Sequence, residues 1–184
     1  MIYSPEEDSY LIAKHIKEYA ESAKKDERCK EILDIGTGSG ILAEEAMKYS
    51  DNVLAVDINP EAVDYVKKKG IKAIQSDLFS NVKGKFDLIL FNPPYLPEYD
   101  DEIEEDSESK TITTGGKSGY EILERFFSEV RKHLNESGKI LIVFSNLTGK
   151  EKVDEIISKN GFNYKQIDYE KLEMFEELYV YVLY

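Results

Sequence analysis

Sulfur chemistry is nearly absent from this chain: Cys29 is the only cysteine in 184 residues. A lone cysteine can form no internal disulfide and no cysteine-based zinc site. Histidine is almost as scarce, and His15 and His133 stand too far apart in sequence to suggest a metal-ligand spacing. Basic residues are outnumbered, 24 against 37 acidic, which leaves a formal net charge of -13 with no Lys/Arg cluster standing out. Such a surface repels phosphate backbones and argues against a stand-alone nucleic-acid-binding module. No apolar run approaches the roughly 20 residues of a membrane span. The opening "MIYSPEEDSYLI" is acidic where a signal peptide would be basic. The expectation is a soluble cytoplasmic protein that works without a metal.

What is present suits one sizeable core, since 41% of the residues are hydrophobic, and residues 1–184 read as a single domain. Strand-like runs alternate with helical patterns, which predicts an α/β fold with helices on a mostly parallel sheet. The seven strand candidates are "EILDIG" (31–36), "NVLAVD" (52–57), "IKAIQ" (71–75), "FDLILF" (86–91), "KILIVF" (139–144), "NYKQIDY" (163–169) and "LYVYVLY" (178–184). The last two, joined by "EKLEMFEE", read as an antiparallel pair. Between the fourth and fifth candidates, Ile122, Leu123, Phe126, Phe127, Val130 and Leu134 recur at helical spacing. At the start, Ser4, Pro5 and Glu7 read as a capping box opening a first helix.

The segment "LDIGTGSG", Leu33 to Gly40, ends a strand and opens a helix. Glycines at 36, 38 and 40 allow a tight turn and close approach of a ligand to the backbone. A dinucleotide fingerprint would need its third glycine at position 41, where Ile41 stands, which counts against a nicotinamide enzyme. Asp57 closes the next strand about 20 residues on, the place from which a carboxylate can accept ribose hydroxyls. Asp77, in "SDL", occupies a comparable place after the third strand and could meet an adenine edge. Each acid alone could be a solvated strand end or a cap, as Asn59 and Pro60 in "DINPEA" suggest for the second. Together with the glycine turn they mark the ligand edge of an open sheet.

These features resemble the class I S-adenosylmethionine-dependent methyltransferases over nearly the whole chain. The resemblance implies a Rossmann-like, seven-stranded sheet in order 3-2-1-4-5-7-6 with strand seven antiparallel, and S-adenosyl-L-methionine as cofactor. It places Asp34, Gly36, Thr37, Gly38 and Gly40 around the methionine part, Asp57 and Ile58 at the ribose, and Asp77 with Leu78 at the adenine.

"NPPY", at 92–95 behind the fourth strand, resembles the (D/N)PP(Y/F/W) motif of methyltransferases that act on planar nitrogen. An amide nitrogen is a poor nucleophile because its lone pair is delocalised, so a site must orient it and support its developing positive charge. The Asn92 side-chain oxygen and the Pro93 carbonyl can accept its two N–H bonds. Pro93 and Pro94 stiffen the backbone, and Tyr95 can stack on the planar group. The resemblance also places Asn92 beside the cofactor.

Two further segments narrow the family. "YSPEEDSYLI" at 3–12 resembles the Y-x-P-x-E-D-[ST] opening of the HemK-type protein-glutamine methyltransferases, and "GGKSGYEILERF" at 115–126 resembles a later segment of their short archaeal and eukaryotic branch. By position, Ser9 would help close the cofactor pocket. The resemblance implies N5-methylation of the glutamine in the GGQ motif of a class-1 translation release factor. It also implies a small zinc-binding activator subunit paired with the third strand, "GIKAIQSD". Residues 96–117, rich in carboxylates, would form a mobile substrate loop. Two other readings stay open: N-methylation of a nucleobase amine or of protein lysine, and a noncatalytic cofactor-binding scaffold.

Overall fold

The structure is a computed structural model, and it describes residues 7–21, 31–95 and 116–184. All seven predicted strands form. They are β1 (Glu31–Ile35), β2 (Asn52–Asp57), β3 (Ala73–Gln75), β4 (Phe86–Phe91), β5 (Leu134–Ser145), β6 (Tyr164–Lys171) and β7 (Glu177–Leu183). They make one sheet in order 3-2-1-4-5-7-6. β1 to β5 pair in parallel, while β7 runs antiparallel between β5 and β6. The helices are α1 (Glu7–Glu21), α2 (Ile41–Ala46), α3 (Pro60–Lys68), α4 (Glu121–Glu129) and α5 (Lys150–Lys159).

Period-two alternation divides the central strands between two faces. Ile32, Leu88, Leu90, Leu141 and Val143 join Leu11, Ile12 and Ile16 of α1, Leu42 and Ala43 of α2, and Val63 and Val66 of α3. Leu33, Ile35, Ile89, Phe91, Ile140, Ile142 and Phe144 pack with Leu123, Phe126 and Phe127 of α4 and Val153, Ile156 and Ile157 of α5. Phe126 anchors the second face, its ring 4.3 Å from that of Phe91 and perpendicular to that of Phe127 at 5.1 Å. A sheet covered on both sides explains why its inner strands read as continuous apolar runs.

Several strand ends shift by one or two residues, and two boundaries carry a physical reason. Helical spacing continued to Leu134, but α4 ends at Glu129, Val130–His133 is a 3-10 turn, and Leu134 opens β5 opposite Phe86 of β4. Backbone pairing to a strand already in the sheet outweighs the one remaining helical repeat. β3 begins at Ala73, with Ile71 packed below it as a core residue just outside the ladder.

The second cap expectation holds: Asn59 Oδ1 accepts the Glu61 N–H at 2.9 Å, with Pro60 as first helical residue of α3. Ser4 and Pro5 of the expected capping box lie outside the described residues, as does the expected substrate loop through residue 115. His133 closes the 3-10 turn with its ring stacked on Phe79 at 4.7 Å. His15 faces β6, its Nε2 2.6 Å from Asp168 Oδ2.

Candidate active site

The carboxyl ends of β1, β2 and β4 converge at one edge of the sheet, where open α/β folds receive ligands. Behind β1 the chain turns through Gly36, with φ +68°, and a Cβ there would come 4.0 Å from the Asn92 carbonyl oxygen. Positive φ makes glycine the residue of choice at this position. The turn is pinned to β2: Thr37 N–H donates to the Val56 carbonyl at 3.0 Å, and Gly38 N–H donates to Asp57 Oδ2 at 2.8 Å. Gly40, at φ +84°, starts α2 with Val66 Cγ2 only 3.1 Å from where a Cβ would stand. It therefore sets how closely α2 and α3 pack.

Asp34 is fully buried in β1. Its Oδ2 accepts the Thr37 hydroxyl at 2.6 Å, while Oδ1 is buried without a hydrogen-bond partner. Burial pushes its carboxyl up to about 7, outweighing the hydrogen bonds from Thr37 and the Ala43 backbone, and nearby Asp57 adds to the rise. Asp57 is likewise raised by burial, against the opposing hydrogen bonds of the Asn59, Gly38 and Ile58 backbone. One Asp57 oxygen holds Gly38 and the other accepts Asn59 N–H at 2.8 Å, so this acid shapes both turns that flank it. Ile58, just beyond, leaves a large apolar side chain 51% exposed at the ligand edge.

Asp77 lies further out and accepts from Arg125 Nη2 of α4 at 2.8 Å. Leu78 beside it is buried and adopts φ +46°, a left-handed conformation that a leucine holds only when its surroundings impose it. Arg125 was not among the expected site residues; only the closed tertiary structure brings α4 to the β3 end.

After β4 the Asn92–Tyr95 turn leaves the sheet with Pro93 buried and its neighbours half-buried. Asn92 Nδ2 donates to Ser9 Oγ at 3.1 Å, and Asn92 Oδ1 is buried with no hydrogen-bond partner. Tyr95 donates its hydroxyl to Asp8 Oδ2 at 3.2 Å and accepts at its carbonyl from Thr148 Oγ1 at 3.1 Å. Contacts join Asp34 to Thr37, Gly38 to Asp57 and Asn92 to Ser9, and Gly36 lies beside the Asn92 carbonyl, whereas the Asp77 carboxylate pairs with Arg125. Asp8 and Thr148 were missed. Asp8 stood within the quoted "EEDS" segment, but nothing in its spacing linked it to Tyr95.

Asp34 Oδ1 and Asn92 Oδ1, on and just behind the adjacent strands β1 and β4, are buried acceptors without partners that a donor-bearing ligand would satisfy. A carboxylate suits an ammonium group, a glycine turn admits close backbone approach, and an exposed isoleucine suits an apolar plane. This donor and acceptor set fits S-adenosylmethionine, with its α-ammonium, ribose and adenine.

Sheet order, antiparallel β7 and an Asn-Pro-Pro-Tyr turn behind β4 place the chain among the class I methyltransferases. The methyltransferase small domain family model matches residues 9–106, and a model of the Eco57I restriction-modification methylases matches residues 64–175, a span that includes the turn. A protein of Methanocaldococcus jannaschii named as a protein N5-glutamine methyltransferase is 39% identical over 97% of this chain and 89% of its own length. The release factor glutamine methyltransferase of Aquifex aeolicus is 34% identical over 71% of this chain, but this chain spans only about half, 51%, of its length. Among solved structures, the Mtq2–Trm112 complex of E. cuniculi, which methylates the eRF1 translation termination factor, shares the fold. Its TM-score is 0.76 at 23% identity, over 99% of this chain and 97% of that one.

The chain belongs to the methyltransferase small domain family and, within it, to the protein N5-glutamine methyltransferases. It is accordingly an S-adenosylmethionine-dependent enzyme.

Proposed function

We propose that this enzyme methylates N5 of the glutamine in the GGQ motif of a class-1 translation release factor, as a single domain. The observation that carries the reading is the buried, unpartnered Asn92 Oδ1 at the mouth of the Asn-Pro-Pro-Tyr turn. A planar –NH2 group has two hydrogens in its own plane, and Asn92 Oδ1 with the Pro93 carbonyl can accept both. Holding the hydrogens this way draws electron density onto the nitrogen and directs its lone pair out of the amide plane. Tyr95 stacks against the amide and excludes water from one side. No strong base is required, because the surplus proton becomes acidic once the nitrogen is alkylated and passes to solvent.

Asp34 binds the ammonium of the methionine part, the Gly36–Gly40 turn cradles its backbone, and Asp57 with Ile58 holds the ribose and the adenine face. Asp77 and Leu78 border the base, and Ser9 closes the pocket beside Asn92. S-adenosylmethionine, when bound, supplies the electrophilic methyl group.

A release factor as substrate places the enzyme in the cytoplasm. Consistent with this, no helix among the described residues is long and apolar enough to cross a membrane. We also propose a small zinc-binding activator subunit that extends the sheet at β3. Ile71 and Ala73 are buried in this chain's own core and Ile74 packs partly against it, so β3 would offer its main-chain edge rather than apolar side chains.

The match to restriction-modification methylases keeps a base amine as the second reading, since such an amine presents the same planar –NH2 group. A net charge of -13 opposes it. Labelled S-adenosylmethionine, a purified class-1 release factor and its GGQ→GGN variant decide between them, with and without the activator. Label on the wild-type factor alone is the expected result. Intact cofactor binding with label on nucleic acid, or on lysine, overturns the glutamine assignment.

A further inference from the structure

Asp8 lies in the first turn of α1, only 3% exposed, among the residues that approach the Asn-Pro-Pro-Tyr turn. An acid there has an ordinary use, since a carboxylate at a helix N-terminus favours the dipole. Its contacts go further. Asp8 Oδ1 accepts the Ser9 hydroxyl at 3.2 Å, and Asp8 Oδ2 accepts the Tyr95 hydroxyl at 3.2 Å.

We infer that Asp8 is a positioning residue that decides which end of the Asn92 amide faces the methyl acceptor, acting through Ser9. A serine hydroxyl has one proton, and a carboxylate has none to offer in return. With that proton committed to Asp8, Ser9 Oγ can meet Asn92 only as an acceptor. Asn92 must therefore turn Nδ2 toward Ser9, the 3.1 Å contact observed, and this leaves Oδ1 on the opposite prong, buried and unpartnered. The two prongs of an asparagine amide are nearly identical in shape, so packing cannot choose between them. Hydrogen-bond polarity makes the choice. The same carboxylate holds the Tyr95 hydroxyl, so both ends of the Asn92–Tyr95 turn take their orientation from α1.

The inference rests on the reading of a planar –NH2 group as the target. An inverted Asn92 would present N–H against the N–H of the substrate, a repulsion in place of a hydrogen bond. Among the described contacts, Asp8 reaches the turn through Ser9 and Tyr95 and meets none of the cofactor acids.

The test uses the enzyme with its activator subunit where activity requires one, in wild-type form and as Asp8→Asn, Ser9→Ala and the double variant. Turnover is measured at saturating cofactor, alongside cofactor affinity by calorimetry and the Asn92 side-chain NH2 resonances with their contacts to the Ser9 β protons. In the wild type those NH2 protons lie against Ser9; in Asp8→Asn this contact weakens. For Asp8→Asn, kcat falls at least about tenfold, the scale of a misdirected transition-state hydrogen bond, while cofactor affinity stays within about threefold. In the Ser9→Ala background the same change costs clearly less than in the wild type, because the relay is already cut and only the Tyr95 contact remains to be lost.

Multiplicative losses in the double variant overturn the inference. So does a wild-type Asn92 NH2 that does not contact Ser9, a result readable even if Asp8→Asn fails to fold. Absence of transfer to any glutamine by the wild-type enzyme overturns the substrate reading instead, and the resonance measurement still decides the role of Asp8.

Discussion

His15 Nε2 and Asp168 Oδ2 meet at 2.6 Å across 153 positions of sequence and tie α1 to β6. Burial alone would raise the Asp168 carboxyl. The hydrogen bonds from His15 and the Tyr169 backbone, with the charges of His15 and Lys14, outweigh it and hold the group below its ordinary value of 3.8. A depressed carboxylate contributes stability above its unfolded pKa and loses it as pH falls through the folded one. Asp168→Asn is therefore expected to lower stability by about 1 kcal/mol at neutral pH. The gap from wild type should close as pH drops below about 4, and thermal melts across pH 3 to 7 check this.

Asp34 carries the opposite sign. Its folded pKa of about 7 lies above the unfolded value, so the neutral form stabilises the cofactor-free protein at low pH. That contribution fades as pH rises through about 7. Asp34→Asn should raise the thermal midpoint of the cofactor-free protein at pH 8 and weaken S-adenosylmethionine binding at least about tenfold, because an amide cannot neutralise an ammonium. Calorimetric titration should also find wild-type affinity rising with pH up to about 7 and levelling above it. A midpoint that falls in the variant would mean that burial does not strain this acid.

Gly40 combines φ +84° with Val66 Cγ2 at 3.1 Å from the position of a Cβ. Gly40→Ala should cost about 1–3 kcal/mol from backbone strain alone, read by denaturant unfolding. Gly70, at φ +83° with nothing within 4 Å, is the control: it keeps the strain and lacks the contact. The smaller loss belongs to Gly70→Ala.

Thr148 donates to the Tyr95 carbonyl at 3.1 Å from the 3-10 turn Asn146–Thr148 that follows β5, and is itself buried. Thr148→Val keeps the shape and removes the hydroxyl. The expected loss is about 1 kcal/mol of stability, with the KM for the protein substrate rising more than that for cofactor, since the bond restrains the acceptor side of the turn. Equal shifts in both constants would assign Thr148 to general packing.

Much of the fold was written in local pattern. Short apolar runs marked the inner strands because a strand buried on both faces needs apolar residues on both, while the polar edge strand β6 carries no such run. Gly36, Asp57 and Asn92 stood out because their conformational or chemical demands are met by few residue types. Leu134 was misplaced because helical spacing continued by one repeat into a residue that the β4 ladder claims. What no local pattern contains is which distant polar groups meet. Ser9 finds Asn92 across 83 positions, Tyr95 finds Asp8 across 87, and Thr148 finds Tyr95 across 53. Sequence by itself determined the strands, the glycine turn and acids at their carboxyl ends, and the residue types of the Asn92–Tyr95 turn. Only the tertiary structure decided the polarity of Asn92 and the upward shift of the Asp34 carboxyl, because hydrogen-bond direction and desolvation depend on neighbours that the closed sheet brings together.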